Sequence, residues 1–415
     1  MKILNNKIAF LIPEARQIDY YENIIRNMDI RSYILIVNDK NKSEILKIRS
    51  VLDQRGYPYK NISECLEKNE FYKVLVSTGN FRINRPFFSI GYLMRFFNEL
   101  IKYLYAKTFG ITLELLKIDR VLIRYIRRPF TAGGKLKRFN IHAPEWIERS
   151  IGETTVLFPR GLDIDVETFP PQSLVKRFDI FFCHSLIEEK LIHKCSDRKT
   201  VLIGYPRYSP LPKKNEARES LINEFQLNPN LPIYLWMPSR LDVLNSTAKN
   251  ILDWTPTVSS LKEDANLLIR PHPHLIDEHP GLCSFLNDNS FKVDDVKHRS
   301  LGGLYSGVDL VFCDYGGSVY SAIYCMKPVI ILKEKTGECL KKEGYFYAEV
   351  VKYLTEFEQS NTKDLKEFSN NIILKKDISD ASLQDIKSKV FGDVNFNDVS
   401  IARDFLIQLL RGNKK

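Results

Sequence analysis

The chain has 415 residues and a formal net charge of +10, from 61 Lys and Arg against 51 Asp and Glu, with 44 % hydrophobic and 12 % aromatic residues. These proportions exclude wholesale disorder, collagen-like repeats and a disulfide-stapled miniprotein, and the length suits two domains or more. The basic excess points to an anionic partner: nucleic acid, anionic lipid or a phosphorylated substrate.

Along the first eighty residues, Lys7–Ile12, Tyr33–Val37 and Lys73–Val76 are short β-branched runs, separated by helix-like charged stretches such as Lys42–Arg55. Strands alternating with helices predict a parallel sheet. Met1 to Pro13 reads as a first strand rather than a signal peptide. No stretch of about 18 residues is free of charge, so no transmembrane helix is expected. Seven Cys without a C-x-x-C pair argue against a zinc ribbon and for a reducing compartment.

Residues 85–128 differ in character, holding nine basic residues against three acidic ones. Phe96, Phe97, Leu100, Ile101 and Leu104 recur at helical spacing, and Arg124, Arg127, Arg128, Lys135, Lys137 and Arg138 follow without an acid between them. This is the pattern of a basic amphipathic helical insertion lying on an anionic membrane surface. Two core helices with a solvated basic face are the competing interpretation.

The α/β rhythm resumes at Thr155–Phe158, Asp179–Cys183 and Val201–Ile203, which ends at Gly204-Tyr205-Pro206-Arg207. Charged residues and prolines from Tyr208 to Glu219 predict an interdomain linker. A second set of strands follows: Pro232–Met237, Asn266–Ile269, Val308–Phe312 and Val329–Leu332. A last amphipathic helix is expected over Arg403–Leu410.

Ligands of open α/β sheets bind beyond the carboxyl ends of strands, and three unusual clusters fall there. In Arg270-Pro271-His272-Pro273-His274, two prolines fix the backbone around His272. The Arg offers a fork for phosphate, and His272 and His274 can donate to an anionic oxygen or leaving group. In Asp314-Tyr315-Gly316-Gly317-Ser318, a glycine pair runs into a helix start, where N–H groups point at phosphate. Ser318 can cap that helix or bond the phosphate. Pro238-Ser239-Arg240 supplies a further contact for phosphate or acceptor. Asp314 is placed to face a Mg²⁺ on a diphosphate, although no ligand set is visible.

Taken in order, Gly204-Tyr205-Pro206-Arg207, Trp236-Met237-Pro238-Ser239-Arg240, Leu268-Ile269-Arg270-Pro271-His272-Pro273, Cys313-Asp314-Tyr315-Gly316-Gly317-Ser318 and Lys327-Pro328-Val329-Ile330 resemble the CDP-glycerol glycerophosphotransferase family of teichoic-acid and capsule polymerases. The resemblance spans roughly 175–335. It implies a GT-B-like fold, with two doubly wound Rossmann-like α/β domains facing an interdomain cleft. The expected division is an acceptor-side domain over 1–206 carrying the insertion at about 85–138, a nucleotide-donor-binding domain over 207–397, and a C-terminal helix over 398–415. It implies transfer of a phosphopolyol from a CDP-activated donor to a membrane-linked acceptor with release of CMP, on the inner face of the cell membrane. Carried over, His272 binds or protonates the departing phosphate and Arg270 supports it. Arg207, Ser239, Arg240, His274, Asp314, Tyr315, Gly316, Gly317 and Ser318 contact the substrates.

One departure stands out. The family carries a Trp-His-Gly motif whose His is the base, whereas the matching place here reads Leu157-Phe158-Pro159-Arg160-Gly161-Leu162-Asp163. Arg cannot act as a base at neutral pH, but a carboxylate can, and Asp163 is the candidate, with Asp165 and Glu167 beside it. A nucleotide-sugar glycosyltransferase in surface polysaccharide synthesis, or a non-catalytic membrane- or polymer-binding relative, is the alternative. No nucleic-acid-binding motif accompanies the basic residues.

Overall fold

The computed structural model describes residues 3–39, 42–79, 82–86, 142–159, 172–194, 196–239, 248–296, 299, 301–314, 316–333, 350–358, 364–374, 380–392 and 399–412. By contacts the chain divides into two units, one of Met1–Asn80 with Ile151–Lys415 and the other of Phe81–Ser150.

The larger unit holds two parallel sheets. Strands β1 (Ile3–Ile12), β2 (Tyr33–Val37), β3 (Tyr59–Asn61) and β4 (Glu70–Ser77) build half of the first. In the smaller unit, β5 (Arg82–Pro86) and β6 (His142–Trp146) pair antiparallel, from Arg82 opposite Trp146 to Pro86 opposite His142. The basic amphipathic segment expected between them lies outside the described residues beyond Pro86. Strands β7 (Gly152–Leu157), β8 (Ile180–Cys183) and β9 (Lys199–Leu202) complete the first sheet, in the order β3-β2-β1-β4-β7-β8-β9.

The second sheet contains β10 (Ile233–Met237), β11 (Asn266–Ile269), β12 (Lys292–Val293), β13 (Leu310–Cys313), β14 (Val329–Leu332) and β15 (Thr355–Phe357). Its order is β12-β11-β10-β13-β14-β15, with every pair parallel.

The strand sequences explain this arrangement. YILIV in β2, IFFC in β8, LVFC in β13 and VIIL in β14 are buried at every position. Unbroken apolar runs suit parallel strands covered on both faces, where alternation with polar residues would leave a polar group in the core. Within β10, Ile233 and Leu235 join one core while Tyr234 and Trp236 join the opposite one, as the two-residue pleat requires. The helix Ile18–Arg26 buries Ile18, Tyr21, Ile24 and Ile25, a single stripe, against the first sheet.

The expected linker over Tyr208–Glu219 enters a helix halfway along. Lys214–Phe225 forms it, and it packs on the second half of the chain. Gly307 permits the close approach, since a Cβ there would lie 2.6 Å from Leu221 Cδ1 and 2.9 Å from the Ala217 backbone. Arg218 then reaches Asp309 at 2.6 Å, and Asp309 in turn accepts from the Ile233 N–H at 3.0 Å. The charges that looked like linker solvation instead pin the helix to the start of β10 and β13.

The last helix, Ser400–Arg411, returns to the first sheet. Ala402 and Leu406 enter its core, Phe405 meets Phe182 edge-on at 5.8 Å, and Lys199 Nζ lies 4.8 Å above the Phe405 ring. Among the described residues no helix is long and apolar enough to cross a membrane.

Candidate active site

In each sheet the strand order reverses at one place, where loops leave two neighbouring strands in opposite directions and open a crevice at their carboxyl ends. In the second sheet that place lies between β10 and β13, with β11 beside them. The three sequence clusters leave the ends of these three adjacent strands.

Ser239 follows β10 and Asp314 follows β13. Both carboxylate oxygens of Asp314 accept from the Ser239 N–H at 2.9 Å. Asn250, near the start of the helix Lys249–Ser259, donates Nδ2–H to Asp314 Oδ2 at 2.7 Å and to the Ser239 carbonyl at 2.9 Å. Asp314 is 3 % exposed and Asn250 4 %. A charge this deep is tolerable because donors surround it. The carboxylate thereby joins the two loops. Among the described residues no three His, Cys, Asp or Glu side chains converge as a metal-ion ligand set.

Gly316 has φ 102° and ψ −168°, backbone essentially closed to residues with a Cβ. A Cβ there would meet Ser239 Oγ at 3.0 Å, so the two loops touch through the missing side chain. Gly317 starts the helix Gly317–Tyr324, is exposed, and has open space where its Cβ would be. The N-cap residue Gly316 offers no side chain, the Val319 N–H donates to the Gly316 carbonyl at 3.1 Å, and the N-terminal end of the helix is of the kind that favours an anion. Burial pushes the Cys313 thiol well up, and the neighbouring Ser318 hydroxyl acts against that shift. From behind, Tyr305 Oη donates to the Ser318 carbonyl at 3.2 Å. Tyr208 Oη donates to Ser321 Oγ at 2.8 Å, and Ser321 Oγ to the Gly317 carbonyl at 2.8 Å.

At the end of β11, Arg270 is 8 % exposed. Its Nη1 meets Asp294 Oδ2 at 2.6 Å and its Nη2 donates to the Val296 carbonyl at 3.0 Å. Arg299 Nε engages the other Asp294 oxygen at 2.9 Å. Arg270 thus holds the end of β11 against the end of β12 and fixes the backbone that carries His272. His272 is half-buried, and its carbonyl accepts from the Leu275 N–H at 2.8 Å, opening the helix Pro273–Glu278. Pro273 suits a first helical position, where no N–H is needed. The backbone of His274 lies in this helix. The side chain of His274, and Arg240, Tyr315 and Asp163, lie outside the described residues.

Arg207 lies in the 3-10 turn Pro206–Tyr208, where the chain passes from the first sheet to the second. Its guanidinium lies 5.6 Å from the Tyr20 ring centroid and 5.8 Å from that of Tyr208. Asn23 Nδ2 holds the Pro206 carbonyl at 2.8 Å.

The first sheet reverses between β1 and β4. Thr78, past β4, donates to Gln17 Oε1, past β1, at 2.9 Å. His184, past β8, is 2 % exposed. Sequence reasoning passed over Asn250, Asp294 and His184. Asn250 carried a legible signal, because helical spacing from Ile251, Trp254, Thr255 and Val258 places it on the buried face.

Among curated proteins, none matches this sequence. Several solved structures resemble the fold. The wall teichoic acid polymerase TagF aligns with a TM-score of 0.55 and 13 % identity, over 98 % of this chain and 89 % of that one. A putative UDP-N-acetylglucosamine 2-epimerase from Listeria monocytogenes aligns with a TM-score of 0.52 and 11 % identity, over 98 % and 95 %. S. aureus MnaA, in a co-structure with UDP, aligns with a TM-score of 0.51 and 12 % identity, over 98 % and 95 %. These likenesses, with the two parallel sheets, make the fold GT-B-like. The model of the CDP-glycerol:poly(glycerophosphate) glycerophosphotransferase family matches residues 182–391, half of the chain, a span that contains Ser239, Arg270, His272 and Gly316–Ser318. The chain belongs to that family of cell-wall polymer transferases.

Proposed function

We propose that this transferase moves glycerol phosphate from CDP-glycerol to a membrane-linked surface polymer and releases CMP. The observation that carries this reading is the meeting of three loops at adjacent strand ends: Ser239 and the Gly316–Gly317 turn in contact, and His272 on the loop of the next strand. The family supports the donor, and a TagF crystal has been soaked with CDPG.

The diphosphate sits at the N-terminus of the helix Gly317–Tyr324, where backbone N–H groups and the helix dipole meet its charge. An acceptor hydroxyl attacks the phosphorus that bears glycerol. A new P–O bond forms, the bridging P–O bond breaks, and CMP departs with the bond's electrons. The hydroxyl proton passes to a carboxylate, for which Asp163 is the proposed base. His272 donates to the departing phosphate, stabilising charge as it develops. Arg270 acts through Asp294 by fixing the His272 backbone. Arg207, Arg240, His274 and Tyr315 remain proposed substrate contacts. A Mg²⁺ held by the diphosphate itself would add positive charge, with no ligand drawn from Asp314.

The donor-binding domain is assigned to residues 207–397, the acceptor-side domain to 1–206 with its insertion, and the helix over 398–415 to the first sheet, where its core residues lie. The basic insertion is proposed to rest on the cytoplasmic face of an anionic membrane. Vesicles of phosphatidylglycerol should bind the protein and release it as salt rises. The decisive experiment is calorimetric titration of wild type and His272→Ala with CMP, CDP-glycerol and UDP, paired with an assay of CMP release. Cytidine-selective binding and CMP release lost in the variant are expected. Uridine preference would move the chemistry to sugar transfer, and absence of any nucleotide binding would overturn the reading.

A further inference from the structure

Arg207 carries its charge to the crossing between the two sheets, and no protein group among the described residues answers it. The turn Pro206–Tyr208 lies along the helix Ile18–Arg26, tied to it by Asn23 Nδ2, which donates to the Pro206 carbonyl at 2.8 Å. There the guanidinium stands 5.6 Å from the Tyr20 ring centroid and 5.8 Å from that of Tyr208, within range of both rings. Among the described residues none hydrogen-bonds or ion-pairs with it. Both acids of the helix are engaged elsewhere, since Arg55 Nη1 holds Asp19 at 3.3 Å and Glu22 at 2.6 Å. The Tyr208 hydroxyl is committed to Ser321 Oγ at 2.8 Å. The Tyr20 hydroxyl is committed to no described group. Arg207 and Tyr20 are both half-buried, and neither has its polar atoms sealed from solvent. A partly desolvated cation without a counter-charge costs free energy that a bound oxyanion offsets. A guanidinium held against two rings with its fork of N–H donors open is therefore organised for an anion.

We propose that Arg207 and Tyr20 form a subsite for a phosphodiester group of the acceptor, the fork meeting its two non-bridging oxygens and the Tyr20 hydroxyl donating to one of them. The subsite rests on the transferase reading above, in which the acceptor is a membrane-linked surface polymer. Placement favours the acceptor over the donor. The helix Ile18–Arg26 follows β1, beside the place where the first sheet reverses its strand order, and ligands of such sheets bind beyond those strand ends. Gln17, at the start of the helix, and Thr78, past β4, meet there at 2.9 Å. The turn proposed for the donor, Gly316–Gly317, belongs to the second sheet. The two are linked through Tyr208, the residue after Arg207, whose hydroxyl reaches Ser321 in the helix Gly317–Tyr324. An acceptor fixed by a phosphate at Arg207 is thus one side chain away from the helix proposed to hold the donor. A neutral polyol or sugar offers nothing to the fork, so the subsite selects an acceptor that already carries a phosphodiester unit over one that does not.

The test measures CMP release by the full chain at saturating CDP-glycerol, with two synthetic lipid acceptors that both end in glycerol and differ in one phosphodiester. Arg207→Gln keeps a polar stem and removes the charged fork, Arg207→Lys keeps the charge alone, and Tyr20→Phe removes only the hydroxyl. For the phosphodiester acceptor, KM should rise about ten- to a hundredfold in Arg207→Gln, the range of a lost charge-assisted hydrogen bond, and less in the other two. For the acceptor without the phosphodiester, KM should be high in the wild type and unchanged in all three variants. The CMP dissociation constant should stay within twofold throughout. An Arg207→Gln KM equal to that of the wild type, or an equal rise for both acceptors, overturns the subsite. So does a weakening of CMP in step with the acceptor, which places the arginine on the donor's phosphate instead. Calorimetric titration with a soluble glycerol phosphate trimer needs no turnover and separates the subsite from the reaction. Trimer binding that falls in Arg207→Gln, without CMP release by the wild type, supports the subsite and counts against the transferase reading. CMP release without trimer binding does the reverse. If Arg207→Gln fails to fold, Arg207→Lys and Tyr20→Phe carry the same test with smaller shifts in the same directions.

Discussion

Gly316→Ala isolates the backbone geometry on which the proposed anion site rests. At φ 102° and ψ −168° an alanine costs about 1–3 kcal/mol before any contact is considered. The new Cβ then lies 3.0 Å from Ser239 Oγ, closer than side chains tolerate without a shift. Ser239 cannot shift freely, because Asp314 grips its N–H through both oxygens at 2.9 Å and Asn250 holds its carbonyl at 2.9 Å. The strain is relieved by rotating the Gly316 peptide or by parting the two loops, and either change re-aims the first N–H groups of the helix behind it. Gly317→Ala is the matched control, since its Cβ enters open space. In thermal unfolding, Gly316→Ala should lower the Tm by about 2–6 °C, against little change for the control. In calorimetric titration with CMP, about 3 kcal/mol of lost complementarity corresponds to about a hundredfold weaker binding. If the two alanine variants unfold at the same temperature and bind CMP equally, the contact between these loops is not what shapes the site.

Arg270→Ala leaves Asp294 buried beside Arg299 alone. It should cost about 3–5 kcal/mol in denaturant unfolding, with CMP release falling further than the folded fraction because the His272 backbone loses its support. His272→Ala should do the opposite, lowering kcat about 10²–10⁴-fold with a Tm within a degree or two of wild type. The pH dependence of stability should carry two signatures near β8. Glu188, pushed by burial up to about 8 from 4.5, keeps a proton in the folded state that the unfolded chain has lost. Its contribution is complete below pH 4.5 and is lost as pH rises towards 8, by an amount of order 5 kcal/mol, so Glu188→Gln should flatten that decline. His184, pushed down to about 4 from 6.5, gives the opposite arm: stability present above pH 6.5 and lost as pH falls towards 4.

What the sequence made legible was whatever depends on neighbours in the chain. The helix Lys42–Arg55 and the strands Tyr33–Val37, Asn266–Ile269 and Val329–Leu332 fall where local pattern puts them. Short edge strands did not show: Tyr59–Asn61, Lys292–Val293 and Thr355–Phe357 are too brief and too polar to stand out, and exist because a neighbouring strand offers them a ladder. The turn proposed to take phosphate is a glycine pair before a helix, as the sequence suggested, but its partner was not legible. That Gly316 is needed because Ser239 stands against it is a fact of two loops 77 residues apart, brought together by the pairing of β10 with β13. Arg270 shows the converse limit. Its place after a strand suggested a phosphate fork, yet its partner, Asp294, comes from the next strand end, which no local pattern announces.

The two halves of the site are joined through side chains that the sequence would have assigned to the core. Tyr208 leaves the crossing turn and reaches Ser321, which bonds the Gly317 carbonyl, while Tyr305, 5.8 Å from the Tyr208 ring, bonds the Ser318 carbonyl. Any displacement of the crossing is therefore felt at the carbonyls of the residues that open the helix Gly317–Tyr324. On the other side of the same crossing, Gly204 and Tyr205 hold His184, and His184 lies against Pro159. Burial pushes the Tyr208 hydroxyl up to about 12, so across the physiological range this relay of hydroxyls carries no charge and acts by geometry alone. A transferase that must expel water before an acceptor hydroxyl meets its phosphorus gains from such a link. Pro159, past β7, and the turn proposed to bind the donor are then tied to one short piece of chain, and neither can be set without reference to the other.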